Sequence, residues 1–453
     1  VMTANATTRP SVRSNRLRAL VVGLCSAAII ADGYDLIVYG TVVPSLLSKS
    51  EWALTPPEAG RIGSYALIGM LVGALVVGTV TDIVGRRRIM MICVTWFSLA
   101  MGLCALAPSP ELFGACRFIA GLGLGGVVPT AIALTVEYAP RGRESMTNGI
   151  MFSGYSVGGI IAALVAIPVI PALGWRAMFW FGVLPALVLV PVMYRYLPES
   201  VAFLSARGRH EEAAALSRRY GLPLDGAETG PAEPADRPRR DVLGSVRLLF
   251  AEHVLLATVL FWVTTAIGLL LVYGLNTWLA EIMRTAGYPL GPALAFLLVL
   301  NLGAIVATPL AGLAADRLGS KPVVATMFLA SATCIALLSV KLPTAALYAL
   351  VAVAGAGSIG TTIVLNAWTA RHYPAASRAT ALGWTLAVGR LGAIMGPVYG
   401  GLILDSGLGL DANFYAFAIP ALAGAVLVLL VPRPVAARDR TLDLRSMETA
   451  SRS

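Results

Sequence analysis

Asp32 and Asp35 stand three residues apart inside a run that is otherwise apolar, LRALVVGLCSAAIIADGYDLIVYGTVVPSLL from Leu17 to Leu47. A helix crossing a bilayer needs about 20 such residues, and a charge at its centre costs roughly 2.5–3.5 kcal/mol on insertion scales. Residues three apart share a helical face, so the pair must look onto a polar cavity or a cationic partner. Arg117, in RFIAGLGLGG, and Arg390, in AVGRLG, are charges in equally apolar surroundings. The chemistry open to such groups is narrow. A buried carboxyl gains and loses a proton as its surroundings change. An arginine stays charged and offers a planar fork suited to a carboxylate. The alternative is that Asp32–Arg117 or Asp35–Arg390 are structural ion pairs, a role that apolar packing fills at little cost.

The elements that must position these groups are membrane-spanning helices. Hydrophobic residues make up 57% of the 453-residue chain and charged residues 13%, where a soluble domain averages about 25% charged. Mean hydropathy is +0.78. Twelve apolar runs are expected to span, at approximately 17–47, 59–80, 88–107, 111–137, 144–171, 175–197, 253–283, 290–315, 322–341, 344–370, 379–404 and 412–432. The long polar interruption at 198–250 has linker composition in its middle, LDGAETGPAEPADRPRR. The expected organisation is a tail at 1–16, a six-helix bundle at 17–197, a linker at 198–250, a second bundle at 251–432 and a tail at 433–453. The net charge of +10 comes from basic residues in short loops, where anionic headgroups are a simpler partner than nucleic acid. The loops with Arg86, Arg87 and Arg88, with Arg317 and Lys321, and with Arg371 and Arg378 alternate with loops poor in basic residues. The positive-inside rule then puts both termini and the linker in the cytoplasm. No cleavable signal peptide is expected.

The two halves repeat each other. GTVTDIVGRRR at 78–88 matches GLAADRLGSKP at 312–322, each residue 234 positions on. The same shift carries Gly121, Gly123 and Gly126 onto Gly355, Gly357 and Gly360, and Gly158 onto Gly392. Parallel repeats of this kind build secondary transporters. The shift also acts as a filter, because Asp32 maps to Ala266, Asp35 to Leu269, Arg117 to Val351, and Arg390 back to Ser156. The four intramembrane charges are additions to a shared scaffold.

Twelve helices in a 6+6 arrangement, with a Gly-x-x-x-Asp-x-x-Gly-Arg-Arg loop after the second, resemble the major facilitator superfamily. Asp32-Gly33-Tyr34-Asp35, Arg117 in its glycine-rich run, Leu197-Pro198-Glu199-Ser200 and Ala387-Val388-Gly389-Arg390-Leu391-Gly392 resemble its aromatic acid:proton symporters. One departure is Ile83, where that loop usually carries arginine directly after Asp82; the second copy keeps it as Arg317. The resemblance implies an all-α membrane protein that imports an aromatic carboxylate, such as a hydroxybenzoate, with protons by alternating access. It implies proton coupling at Asp32 and Asp35 and anion binding at Arg390, with Arg117 as a second cation or as the partner of a first-span aspartate.

Around those residues, Tyr39, Asn276, Trp278 and Trp384 are candidates to line a substrate cavity between the halves, although packing or lipid-facing roles are equally open. Asp82, Arg86, Glu137, Asp316 and Arg317 are candidate gating residues. The expected partners are protons, a small anionic aromatic substrate and the lipid bilayer, without nucleic acid, in a monomer of a bacterial inner membrane. No cofactor, metal or catalytic residue is expected. Other readings are a sugar or aliphatic-acid transporter, since Leu197-Pro198-Glu199-Ser200 also resembles sugar porters, an exporter of the same fold, or a receptor or membrane enzyme.

Several motifs are rejected. Gly121-x-Gly123-x-x-Gly126 has no preceding strand and lies in an apolar helix, so small residues for close helix contact explain it better than a dinucleotide site. Gly154-x-Ser156-x-Gly158 lacks the strand-to-helix turn of a nucleophile elbow. The five cysteines and three histidines have no metal-ligand or disulfide spacing.

Overall fold

The computed structural model describes residues 12–48, 52–140, 143–222, 249–250, 252–373 and 377–432, and no strand occurs among them. Fourteen helices follow in order among those residues. The first six are α1 (Val12–Ser48), α2 (Pro56–Val84), α3 (Arg86–Leu106), α4 (Pro110–Tyr138), α5 (Glu144–Leu173) and α6 (Arg176–Tyr196). Two short helices come next, α7 (Val201–Ala206) and α8 (His210–Tyr220). The last six are α9 (Glu252–Thr285), α10 (Leu290–Leu318), α11 (Ser320–Leu337), α12 (Thr344–His372), α13 (Arg378–Asp405) and α14 (Leu410–Leu430). All but α7 and α8 are long and apolar enough to cross a membrane, giving twelve candidate spans. Helices satisfy their own backbone, which is what hydrocarbon demands of any spanning segment. Single π-turns interrupt α6 at Pro185–Leu189 and α12 at Ala356–Gly360.

The chain divides into two compact units. Unit 1 holds residues 1–45, 50–52 and 65–235; unit 2 holds 46–49, 53–64 and 236–453. The start of α2 therefore packs with unit 2, where Ser64 donates to the Ile394 carbonyl at 2.5 Å.

Within each unit, glycines let helix backbones touch, and the contacts obey the 234-residue shift. In unit 1 a Cβ on Gly69 would strike the Phe118 carbonyl of α4, and one on Gly121 the Ala66 carbonyl of α2. In unit 2 their counterparts Gly303 and Gly355 meet the Ala352 and Leu300 carbonyls in the same way. Gly123 and Gly126 face α3 through Cys93 and Trp96, so the glycine run serves helix contact. The turn after α2 is built identically in both copies. Gly85 and Gly319 take φ of 104° and 91°, where a side chain would be strained, and their N–H groups donate to Thr81 and Ala315 at 3.0 Å.

The first part of the segment read as linker is structured. Ser200 caps α7 by accepting from Phe203 N at 3.1 Å. The helix α8 has Glu211 and Glu212 in its first turn and Arg218 and Arg219 in its last, matching the helix dipole at both ends. Gly221 closes it with φ of 61°. Val201, Leu204, Ala213, Tyr220 and Leu222 then join the core of unit 1. Arg18 fastens the far end, since its guanidinium donates to the carbonyls of Tyr220, at 2.7 Å, and Gly221. The middle is rich in Gly and Pro, whereas 210–220 (HEEAAALSRRY) sets charged residues at both ends of an Ala- and Leu-containing centre and forms an amphipathic helix. The linker middle at 223–248 and the tails at 1–11 and 433–453 lie outside the described residues.

Gly355→Leu should lower the unfolding temperature in detergent sharply, by an amount corresponding to about 1–3 kcal/mol of overpacking or more. Gly23→Ala, where an added Cβ meets nothing within 4 Å, should leave it unchanged or slightly raised. Equal effects of the two would remove backbone contact as the reason for these glycines.

Candidate functional site

In unit 1 the intramembrane charges meet on α1 and α4. Arg117 donates to Oδ1 of Asp35, forming an ion pair in which both side chains are 1% exposed. A second donation runs to the Asp35 backbone carbonyl at 3.3 Å. The guanidinium also lies over the ring of Tyr39, 5.6 Å from its centroid, a cation–π contact strengthened by desolvation. Among the described residues, Asp35 Oδ2 and Arg117 Nε take part in no hydrogen bond. The pair is thus compensated in charge but incompletely in hydrogen bonding. Asp32 is buried on the preceding turn of α1.

Local packing fixes this pair. Gly33 and Gly158 bring α1 and α5 into backbone contact at Tyr155 and Ile30. Tyr34 donates its hydroxyl to the Met178 carbonyl at 2.8 Å, tying the same turn of α1 to α6. Tyr39 stacks on Phe113 at 6.3 Å, and Phe113 sits in an aromatic cluster with Trp52, Trp175 and Phe179. Tyr39 is 2% exposed, so its ring belongs to the setting of Arg117.

In unit 2, Arg390 is half-buried on α13 and makes no ion pair or hydrogen bond among the described residues. Its condition is the reverse of Arg117's. Trp384, on the same helix, is 42% exposed and stacks on Trp262 of α9 at 5.8 Å and 19°. Trp278 is fully buried and donates its indole N–H to the Pro397 carbonyl at 2.7 Å, against Gly400 and Gly401. Asn276 is buried too, donating to Val272 O at 2.7 Å and accepting from Asn301 at 3.0 Å. Asn276 and Trp278 are therefore engaged in holding α9 to α10 and α13.

At the arginine-rich end of unit 1, Glu137 closes α4. It pairs with Arg86 at 2.9 Å, accepts from the Ser200 hydroxyl at 2.6 Å, and accepts from the backbone N–H groups of Val201 and Ala202 at the start of α7. Glu199 does the same for α3, accepting from Arg87 N at 2.9 Å. Carboxylates at helix N-termini are favourably placed against the dipole. The side chain of Asp82, the other candidate of this loop, lies outside the described residues. In unit 2, Asp316 pairs with Arg371 at 3.3 Å, and Arg371 donates to Ser320 at 2.8 Å. Arg317 is exposed. Sequence reasoning had given no role to Glu199, Ser200 or Arg371. The signal was present, since the 234-residue shift carries Glu137 onto Arg371 and Arg86 onto Ser320.

A sequence profile for the Major Facilitator Superfamily matches residues 25–307 and 293–450. The chain is 38% identical over 416 residues to the benzoate transport protein of Acinetobacter baylyi, covering 91% of this chain and 89% of that protein. It is 38% identical over 427 residues to the gentisate transporter of Corynebacterium glutamicum, covering 93% and 89%. The inward-open xylose transporter from E. coli superposes with a TM-score of 0.71 at 17% identity, covering 92% of this chain and 96% of that one; at that identity the likeness is one of fold.

Arg117→Ala should destabilise the protein by about 3–5 kcal/mol, since it strands a buried carboxylate. Combining Arg117→Met with Asp35→Leu should recover most of that loss in thermal unfolding. A double variant no more stable than Arg117→Ala would show that charge compensation is not what joins the two residues.

Proposed function

The chain belongs to the major facilitator superfamily, whose members are transporters and not enzymes, and from that premise we propose that it is a proton-coupled importer of an aromatic carboxylate of the benzoate or hydroxybenzoate class. The observation that carries the reading is the contrast between the two intramembrane arginines. Arg117 is already neutralised by Asp35. Arg390 has no anion among the described residues, and a guanidinium within a span is costly unless it meets water or a negative charge. A substrate carboxylate supplies that charge in bidentate form. The names of the benzoate and gentisate relatives supply the aromatic ring, and the Trp262–Trp384 stack on α9 and α13 offers it a flat apolar surface.

Asp32 and Asp35 are the proposed proton carriers. Protonation of Asp35 removes the charge that holds Arg117, so proton uptake loosens the tie between α1 and α4 and proton release restores it. Tyr39 steadies Arg117, while Asn276 and Trp278 position α9 and do not touch substrate. Arg86 with Glu137, and Asp316 with Arg371, are the proposed latches of the arginine-rich loops; Asp82 and Arg317 belong to the same loops. Those loops and both termini face the cytoplasm of a bacterial inner membrane, and the protein works as a monomer by alternating access.

The test is uptake by purified protein in proteoliposomes under an imposed pH gradient, with benzoate, 4-hydroxybenzoate, gentisate, an aliphatic acid and xylose as substrates. Aromatic acids should accumulate when the outside is acidic and the others should not. Arg390→Lys should weaken binding about tenfold by losing the fork, and Arg390→Ala should nearly abolish it. Asp32→Asn or Asp35→Asn should end gradient-driven accumulation. Unchanged affinity in both Arg390 variants would place the anion elsewhere, and full accumulation in both aspartate variants would exclude them from coupling.

A further inference from the structure

The helices α3 and α4 form a hairpin joined by three residues, Ala107, Pro108 and Ser109. Their contact runs in antiparallel register along one stripe of each helix. A Cβ on Gly126 would strike Cys93 Sγ at 2.6 Å, and one on Gly123 would strike the Phe97 backbone nitrogen at 3.0 Å. Nearer the turn, Arg117 Nη1 lies 3.8 Å from Met101 Sδ. The next step of the stripe sets Cys104 opposite Cys116, and the two thiols are hydrogen-bonded to each other. Both are free, and both are buried. In sequence the two cysteines stand a whole hairpin apart, and only the fold makes them neighbours.

A disulfide needs a short backbone separation and side chains that face each other. The hairpin supplies both. On one side of the pair Gly123 lets the helix backbones touch; on the other the three-residue connection leaves the helices no room to diverge. The internal repeat shows that packing alone does not ask for cysteine here. The 234-residue shift carries Cys104 onto Leu338 and Cys116 onto Leu350, so leucine fills both places in the second copy. In the first copy both are cysteine, and they face each other. Cys93, on the same stripe, faces Gly126 instead.

A buried cysteine on its own is usually an inert filler; a second sulfur within reach changes its chemistry. One thiol reduces hydrogen peroxide, becoming a sulfenic acid and releasing water. The facing thiol attacks that sulfur, the sulfenic oxygen leaves as a second water, and an S–S bond remains. Two thiols and one peroxide thus give one disulfide and two waters. We propose that Cys104 and Cys116 are a reversible dithiol–disulfide couple, oxidised by peroxide, whose bond clamps the α3–α4 hairpin. Cys116 precedes Arg117 on α4, so the clamp fixes the turn that carries the cation of Asp35. On the orientation proposed above, the Ala107–Ser109 turn lies on the non-cytoplasmic side, where disulfides persist. That compartment alone rests on the proposed function; the cross-link forms or fails whether or not the protein transports.

The test treats the purified full chain in detergent with hydrogen peroxide, then unfolds and alkylates it without reductant. Two of its five cysteines should resist alkylation, and dithiothreitol should return both. The oxidised protein should unfold about 5 °C higher than the reduced protein, and dithiothreitol should reverse the rise. Cys104→Ala and Cys116→Ala should each abolish the rise, and Cys93→Ala should keep it. Each comparison is between oxidised and reduced forms of one variant, so any destabilisation by the substitution itself cancels. Cys104→Leu with Cys116→Leu, which copies the second repeat, should fold and show no response to peroxide. Five thiols still open to alkylation after peroxide, a rise that survives in Cys104→Ala, or a cross-linked dimer on a non-reducing gel would each overturn the proposal. A disulfide that forms without moving the unfolding temperature would overturn the clamp.

Discussion

A charge within a membrane-spanning helix has to be neutralised where it stands, and the Asp35–Arg117 pair is where this chain meets that constraint. Each partner loses several kcal/mol of hydration on burial, and neither can remain charged there without the other. The pair therefore sets the height of α1 against α4. The surrounding packing follows from it: Tyr39 under the guanidinium, Phe113 against Tyr39, and the Tyr34 bond to α6 on the turn below. Glycines at 33 and 158 bring α5 close enough to complete the wall. An apolar pair would pack as well at this place. A carboxylate and a guanidinium do something an apolar pair cannot, which is to respond to a proton.

The arginine-rich ends of the two units show the same economy with different chemistry. In unit 1, position 86 is a cation and position 137 an anion, and they pair directly. The 234-residue shift turns these positions into Ser320 and Arg371, which are bonded as well, with the cation now on the other helix and Asp316 as its counter-charge. The geometry of the turn is retained, down to the positive-φ glycine at 85 and 319. The identity of the charged residue is free to change because only the contact is needed for the scaffold. In unit 1 the extra reach of Glu137, to Ser200 and the first N–H groups of α7, is what anchors the segment after α6.

The spans, the repeat and the four intramembrane charges were legible in the sequence because each depends on one dominant energy term. Hydrocarbon rejects charge and unpaired backbone, so apolar runs and isolated charges stand out. Close helix contact demands glycine, so Gly69 and Gly121 reappear at 303 and 355. Pairing was less legible. Sequence left Arg117 with either aspartate, and the choice of Asp35 depends on the crossing of α1 and α4, which no local pattern encodes. Trp278 and Asn276 stood as candidates for either a cavity or packing role because aromatic and amide groups in a span suit both; the structure adds that each satisfies a neighbouring carbonyl or amide. The helices α7 and α8 were missed because short helices are held by caps and docking, through Ser200, Glu137 and Arg18, more than by any long apolar period.

Those last contacts bear on how a proton at Asp35 could move anything. Two of the ties that hold α1 within unit 1 differ in how they respond to a proton. Near its start, Arg18 binds the carbonyls that end α8, a contact between a permanent cation and a helix C-terminus that a proton does not alter. Near its middle, Asp35 binds Arg117. If the carboxylate is neutralised, the tie at Asp35 weakens while the one at Arg18 remains, so the middle of α1 is held less firmly to α4 than its start is to α8. On the proposed coupling, a titratable tie in the middle of α1 and a permanent one near its start would let a proton on one carboxylate change how the whole helix is held.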